Sequence, residues 1–133
     1  METLTLKELI KLTENCGLLK EDGEPKTVYF EFGTAIPTEL DSWRGSYDLL
    51  SLNYKMTGRD DYDGKQEMKA NEFIDMCKAA IGQTFTGYKG GEFTMSEHTA
   101  VWVDNHGNYT QTGLIGVSGD NWNIYLKTAR VEY

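Results

Sequence analysis

The chain has few of the residues on which common catalytic and metal-binding motifs depend. Its 133 residues include two cysteines and two histidines. Neither Cys16 nor Cys77 has a second cysteine or histidine at zinc-ligand spacing, so both are predicted to be reduced and mostly buried thiols. His98 and His106 lie in no serine-hydrolase or zinc-protease motif. These absences predict no metal and no cofactor, and they argue against a hydrolase of those classes.

The sequence also lacks a long apolar run and a cluster of basic residues. No window approaches the roughly eighteen uninterrupted apolar residues of a membrane span, and residues 1–4 lack the pattern of a signal peptide. We therefore expect a cytoplasmic protein without a membrane partner. Lysine and arginine number 13 against 21 acidic residues, which gives a net charge of −8. Because duplex DNA or RNA binding needs a basic patch, no duplex nucleic-acid partner is expected.

The acidic charge is spread along the chain and has two interpretations. A mildly acidic surface commonly serves solubility alone. The same surface can also imitate a nucleic acid and occupy a protein that binds one.

The carboxylates of residues 59–63 lack the glycine and the terminal glutamate of an EF-hand calcium loop, so they are interpreted as part of an exposed turn.

Hydrophobic periodicity predicts two helices and about five strands in one domain spanning residues 1–133. A helix is predicted over 5–16, with capping-box spacing at its start and Gly17 at its end. A second helix is predicted over 70–81, where apolar residues recur at i, i+3, i+4 and i+7. The predicted strands are 28–32, about 47–56, 99–104, 112–117 and 122–128, with 33–45 and 58–67 irregular.

The order of these elements predicts an α+β fold: an antiparallel sheet of about five strands with two helices packed on one face. Residues 118–121, S-G-D-N, are typical of a tight hairpin between the last two strands. Trp102 and Trp122 lie within alternating apolar segments, so both are predicted to be core residues. Trp43, in contrast, lies in an irregular stretch.

Two short segments hold the residues best suited to bind a ligand. Residues 42–47, S-W-R-G-S-Y, place an indole, a guanidinium and a phenol together. Residues 87–95, G-Y-K-G-G-E-F-T-M, place three glycines around a tyrosine and a lysine. Glycine lets the backbone approach a ligand closely and turn N–H groups toward an anion. Both segments can equally be structural, as a packed loop and as a glycine-rich connection between a helix and a strand.

These segments also carry a resemblance to a known group of proteins. The motifs W-R-G-x-Y and G-Y-K-G-G-E-F-T-M, together with V-W-V-D-N-H-G-N at 101–108 and T-G-L-I-G-V at 112–117, resemble small uncharacterised phage and prophage accessory proteins. The resemblance carries over no functional residue. It implies a protein of the host-cell cytoplasm, in a setting where short acidic accessory proteins often blunt host defence.

The first hypothesis is a non-enzymatic phage anti-defence protein that sequesters a small nucleotide-type immune signal, such as a cyclic nucleotide or an ADP-ribose derivative. An aromatic ring stacks on a base for about 1–3 kcal/mol, and an arginine grips a phosphate through two hydrogen bonds. The candidate ligand-binding residues supply rings, cations and hydroxyls: Trp43, Tyr47, Tyr88, Arg44, Lys89, Thr34, Thr38 and Ser46. Such proteins commonly place pockets between protomers, so a homo-oligomer is expected.

The second hypothesis is an acidic protein that inhibits a host defence enzyme or nuclease, using tyrosine and tryptophan side chains as anchors. An enzyme is a third hypothesis, and the sequence favours it least. Charge placement separates the first two hypotheses. Sequestration needs Arg44 and Lys89 together in a concave site, whereas inhibition by mimicry needs carboxylates arrayed on one convex face.

Overall fold

The computed structural model describes residues 3–31, 35–42, 50–56, 67–86, 92–103 and 112–130. Two helices and eight strands lie within these ranges, and their composition and order confirm the α+β class. In chain order they are α1 (Leu6–Asn15), β1 (Thr27–Phe30), β2 (Ala35–Ser42), β3 (Leu50–Met56), α2 (Ala70–Ala80), β4 (Thr84–Thr86), β5 (Glu92–Thr94), β6 (Val101–Val103), β7 (Thr112–Gly119) and β8 (Asn123–Arg130).

Six strands form one mixed sheet in the order β1-β8-β7-β6-β3-β2, and β4 pairs with β5 in a separate ribbon. The β1–β8 and β3–β6 pairs are parallel, whereas β2–β3, β6–β7 and β7–β8 are antiparallel. The edge strands β1 and β2 contact each other, so the sheet curls into a nearly closed barrel. The prediction of an antiparallel sheet of about five strands is therefore confirmed only in part: the sheet has six strands, and two of its five pairs are parallel. The alternation along one strand does not show in which direction its partner runs.

Two segments that are not predicted to be strands form strands in the structure. Residues 35–42 form β2, and its pairing with β3 shifts register between Pro37 and Leu40. Proline cannot donate a ladder hydrogen bond and is tolerated at a sheet edge, which is where β2 lies. Residues 92–94, assigned to a connection, form β5 and pair with β4.

Helix α1 begins and ends as its sequence predicts. The Thr5 hydroxyl accepts a hydrogen bond from the Glu8 N–H, and the Glu8 carboxylate accepts one from the Thr5 N–H, at 3.2 and 3.0 Å. This reciprocal pair is a capping box. Gly17 follows the helix at a φ of +80°, which glycine adopts without strain. The buried Lys26 donates from Nζ to the Cys16 carbonyl at 2.9 Å and so caps the C-terminal end.

The two helices contact each other and the six-stranded sheet, α1 at β7 and α2 at β1 and β2. Their apolar faces and the inner face of the sheet form one core. Its largest fully buried side chains are Phe30, Phe73, Leu6, Leu9, Leu52, Met95, Leu114, Ile124 and Leu126. Burying a side chain of this size contributes about 1.5–3 kcal/mol, so this core is the main source of stability. Met95, directly after β5, ties the β4–β5 ribbon to the core.

Residues 3 and 4, which precede α1, form hydrogen bonds to both β6 and β7. These two strands share one aligned residue pair, Trp102 with Gly113. The Leu4 N–H donates to the Leu114 carbonyl at 2.7 Å, and the Leu4 carbonyl accepts from the Val101 N–H at 2.9 Å. The buried Thr3 hydroxyl donates to the Val101 carbonyl and accepts from the Leu114 N–H. Residues 3 and 4 thus satisfy backbone groups where β6 and β7 diverge.

The described tryptophans occupy opposite environments. Trp102 is 5% exposed and packs with Ala100 and Ile115, which confirms its predicted burial. Trp122 is 65% exposed, so its predicted place in the core is wrong. The Asp120 carboxylate accepts hydrogen bonds from the N–H groups of Trp122 and Asn123. These bonds place Trp122 in the β7–β8 turn rather than in β8. Trp43 lies outside the described residues.

We expect Trp102→Ala and Trp122→Ala to differ in their effect on stability. Truncating the buried Trp102 should lower the free energy of unfolding by about 3–5 kcal/mol. Truncating the exposed Trp122 should change it by less than about 1 kcal/mol, as is usual at the surface. Urea titrations followed by far-UV circular dichroism measure both values. Equal losses would contradict the exposed position of Trp122.

Thr3→Val tests the junction between β6 and β7. The substitution keeps the shape of the side chain but leaves the Val101 carbonyl and the Leu114 N–H without the hydroxyl, so we expect a loss of about 1–3 kcal/mol. Thr3→Ser keeps the hydroxyl and serves as the control, with a smaller loss. Urea unfolding of the two variants compares them directly, and a Val variant as stable as the Ser variant would show that the hydroxyl does not bridge the strands.

Candidate functional site

Thr38 is the predicted ligand-binding residue that lies among the described residues. The others, Thr34, Trp43, Arg44, Ser46, Tyr47, Tyr88 and Lys89, lie outside them, so their roles stay predictions. Thr38 is exposed on β2 and lines a groove of about 320 Å³. The remaining lining residues are Ile36, Pro37, Lys55, Glu67 and Met68.

This groove lies beside β2, and the segment before α2 forms its other side. The Val28 N–H of β1 donates to the Met68 carbonyl at 2.8 Å, and Thr27 forms an isolated bridge with Lys69. Residues 67–69 therefore follow the outer edge of β1 and face β2 across the groove. The segment is fixed further by the ion pair between Lys69 Nζ and Glu67 Oε2 at 2.6 Å, which contributes most to raising the pKa of Lys69.

The groove has the size of a small ligand site. Its volume lies at the lower end of the roughly 300–1,000 Å³ that ligand pockets occupy. Among the described residues, its lining holds one cation, Lys55, and one anion, Glu67.

Thr38 lies within β2, four residues before the strand ends at Ser42. A strand rises about 3.3 Å per residue, so Thr38 lies about 13 Å along β2 from Ser42, which directly precedes Trp43 in the sequence.

The strands that lead into the two predicted binding segments are neighbours. β2 ends at Ser42, immediately before residues 43–47, and β4 ends at Thr86, immediately before residues 87–91. β2 and β4 contact each other. The two segments are 45 residues apart when Arg44 and Lys89 are compared in the sequence, and tertiary structure brings together the strands on which they begin.

A second concave surface lies between the turn after α1 and the β7–β8 turn. This cleft has a volume of about 270 Å³ and is lined by Lys20, Glu21, Asp22, Asn121 and Trp122. The sequence does not predict this cleft, because the alternating apolar pattern around Trp122 predicts a core residue. The turn composition of S-G-D-N is the feature that indicates it, because it predicts that the following tryptophan lies close to a hairpin turn.

Asp120 organises the β7–β8 side of this cleft. Its carboxylate accepts hydrogen bonds from the N–H groups of Trp122 and Asn123 at 2.8 and 2.7 Å, and from the Tyr125 hydroxyl at 3.2 Å. The backbone N–H of Trp122 is the largest of the causes that hold the pKa of Asp120 below its ordinary value. Asp120 is therefore ionised at neutral pH.

The opposite side of the cleft is a closed turn. The Lys20 N–H donates to the Glu24 carbonyl at 2.7 Å, and the Glu24 N–H donates to the Asp22 carboxylate at 2.9 Å. Gly23 allows the turn because it adopts a φ of +86°. The Thr27 N–H donates to the Trp122 carbonyl at 3.3 Å and so links the two sides. The walls of the cleft are thus fixed by backbone hydrogen bonds.

The thiols are poorly placed for nucleophilic chemistry. Cys77 is fully buried in the core, and burial raises its pKa to about 12. Cys16 is half-buried, and burial raises its pKa despite the opposing effect of Lys26. Because the thiolate is the reactive form, neither side chain is activated at neutral pH.

The remaining ionisable groups of the described residues form no candidate metal site. Within the described ranges, no three histidine, cysteine, aspartate or glutamate side chains are grouped to hold a metal ion. His98 forms an exposed pair with Glu97, with 3.4 Å between Nε2 and Oε1. Neither of the two described helices has the length and apolar character needed to cross a membrane.

No protein-family model matches the chain, and no curated protein or solved structure matches it. The resemblance to phage and prophage accessory proteins therefore rests on the sequence motifs alone. The function has to be argued from the residues and from their positions in the fold.

Proposed function

We propose that the protein is a non-enzymatic phage anti-defence protein that binds and sequesters a small nucleotide-type immune signal, such as a cyclic nucleotide or an ADP-ribose derivative. The observation that supports it best is the contact between β2 and β4. Each of these strands leads directly into one of the segments that hold the candidate aromatic and cationic residues. Their proximity favours a shared site built from both segments.

The residue types in these segments suit an anionic, aromatic ligand. Arg44 can bind a phosphate through two parallel hydrogen bonds, and Lys89 can add a compact positive charge. Trp43, Tyr47 or Tyr88 can stack on a base for about 1–3 kcal/mol. Affinity of this kind requires no chemical step, which agrees with a sequestering role.

The net charge makes local cations essential for this function. A chain with a charge of −8 repels an anionic ligand on average. Charge interactions in water fade over about 8 Å at physiological ionic strength, so a close pair of cations can still attract a phosphate. Arg44 and Lys89 are the cations that the two segments supply. We also propose a homo-oligomer in the host-cell cytoplasm, with pockets at protomer boundaries.

A second candidate function is inhibition of a host defence enzyme or nuclease by an acidic surface. The observation that favours it is Trp122, which is 65% exposed in a cleft that Glu21 and Asp22 also line. Exposed tryptophan is a frequent anchor of protein interfaces. This candidate is tested by adding the protein to a panel of host nucleases and defence enzymes and measuring their activities.

Arg44→Ala and Lys89→Ala test the sequestering function. Each should weaken binding of the recognised nucleotide at least tenfold, about 1.4 kcal/mol, because each removes a phosphate contact. The melting temperature should change by no more than a few degrees, since exposed charges contribute about 0–1 kcal/mol to stability. Calorimetry with a panel of cyclic nucleotides and ADP-ribose derivatives measures the affinity.

Matched controls remove charge elsewhere. Arg130→Ala and Lys127→Ala truncate exposed cations on β8 and should leave the affinity unchanged. Mass spectrometry of the ligand released by heat should show it intact, whereas altered products would establish an enzyme. A panel without a binder, or an Arg44→Ala variant that binds normally, would contradict the proposal.

A further inference from the structure

One large apolar side chain is exposed in a cleft. Trp122, at 65% exposure, lines the cleft between the β7–β8 turn and the turn after α1. Single exposed apolar residues are ordinary, but a tryptophan that lines a concave surface is a frequent anchor of protein interfaces. We refer to residues 20–22 and 121–122 as the Trp122 cleft.

The Trp122 cleft holds its tryptophan on a fixed backbone. The Asp120 carboxylate binds the Trp122 N–H at 2.8 Å, and the Trp122 carbonyl accepts from the Thr27 N–H at 3.3 Å. Both backbone groups of Trp122 are therefore engaged, although its side chain is exposed. A partner that binds the ring therefore has to order only the side-chain torsions of Trp122 and not its backbone, which lowers the entropy cost of binding.

The charge around the cleft is complementary to a basic partner. Glu21 and Asp22 line it, and Asp120 supports its floor, whereas Lys20 is the cation in the lining. The nearby Lys26 is buried and directs its Nζ to the Cys16 carbonyl. The surroundings are therefore negative, in agreement with the net charge of −8.

The lining of the cleft suits a guanidinium group. The cleft measures about 270 Å³ and is lined by one indole and two carboxylates together with Lys20 and Asn121. An indole face next to carboxylates is the arrangement that attracts a guanidinium, through cation–π stacking on the ring and bidentate hydrogen bonds to a carboxylate. Arginine fits better than lysine because its planar group can make both interactions.

We propose that the Trp122 cleft docks an arginine-bearing basic segment of a protein partner, with the guanidinium on the Trp122 ring and within reach of Glu21 and Asp22. Nucleic-acid-binding enzymes present such side chains, so the cleft supplies a surface and a partner chemistry for the inhibitory function. In that respect it rests on the second candidate function. It is independent of Arg44 and Lys89.

Nuclear magnetic resonance of the full chain tests this docking site. The probe is an acetylated peptide of four Gly-Arg repeats, with peptides of four Gly-Lys, Gly-Gln and Gly-Glu repeats for comparison. We expect the Gly-Arg peptide to bind most tightly. It should shift the amides of residues 19–24 and 120–123 and the Trp122 indole N–H, with weaker binding as salt is added.

Variants then separate stacking from general charge attraction. Trp122→Ala should weaken Gly-Arg binding at least fivefold, and the double variant Glu21→Gln with Asp22→Asn should do the same. Ile81→Ser removes a large side chain that is 38% exposed outside the cleft, so it should leave binding unchanged. Arg44→Ala should also leave it unchanged, which separates this site from nucleotide sequestration.

Several results would overturn the proposal. One is binding that is equally tight to Trp122→Ala, or shifts spread over the whole acidic surface, because general charge attraction would then suffice. Another is the absence of saturable binding. A third is a dependence of the cleft amide shifts on protein concentration without peptide, which would assign the cleft to a second copy. Peptide binding by a protein that inhibits none of the enzymes in the panel would reject only the inhibitory function.

Discussion

The short N-terminal segment is the constraint on which the sheet depends. β6 and β7 diverge after one registered pair, and residues 3 and 4 satisfy their backbone groups from between them. Because a buried backbone group without a partner costs about 1–3 kcal/mol, this junction is needed for a continuous sheet. With it, six strands can curl around the core that the two helices complete.

The curled sheet also determines where its ends meet. Leu50 begins β3 opposite Ser42, and Val101 begins the parallel β6 beside Leu50. β7 is antiparallel to β6, so the C-terminal end of β7 points toward the end of the sheet at which β6 begins. The end of β2 and the β7–β8 turn consequently lie at one end of the sheet. The segment that holds Arg44 begins there, and the Trp122 cleft lies there too.

The two candidate sites differ in charge as well as in chemistry. The segments with Arg44 and Lys89 offer cations and aromatic rings to an anion, whereas the Trp122 cleft offers carboxylates and an indole to a cation. The acidic surface favours the second interaction at long range, and the first requires close contacts.

Local features of the chain could be predicted because they depend on residues close in sequence. The helices are predicted at 5–16 and 70–81 and observed at Leu6–Asn15 and Ala70–Ala80. The Thr5 and Glu8 capping box explains the start of α1, and S-G-D-N marks the turn that joins β7 to β8. Periodicity, caps and turn composition act over a few residues, so a sequence specifies them directly.

The candidate ligand residues are predicted from residue type alone. Residue type does not show whether their side chains lie close together in the folded chain. Arg44 and Lys89 are suited to phosphate, but their meeting depends on contacts between distant segments. The contact between β2 and β4 is found in the structure and could not be predicted from the sequence. Thr38 lies about 13 Å along β2 from Ser42, in a groove whose described lining holds one cation and one anion.

Four features could be predicted from the amino-acid sequence: the α+β class, both helices, the last hairpin and the burial of Trp102. Three others depend on the folded chain: the parallel β1–β8 and β3–β6 pairs, the edge position that makes Pro37 compatible with β2, and the exposure of Trp122. Strand partners and burial depend on contacts between residues far apart in the chain. An alternating apolar pattern shows that a strand has two faces, but it does not show which neighbours it pairs with or where its last residue turns outward.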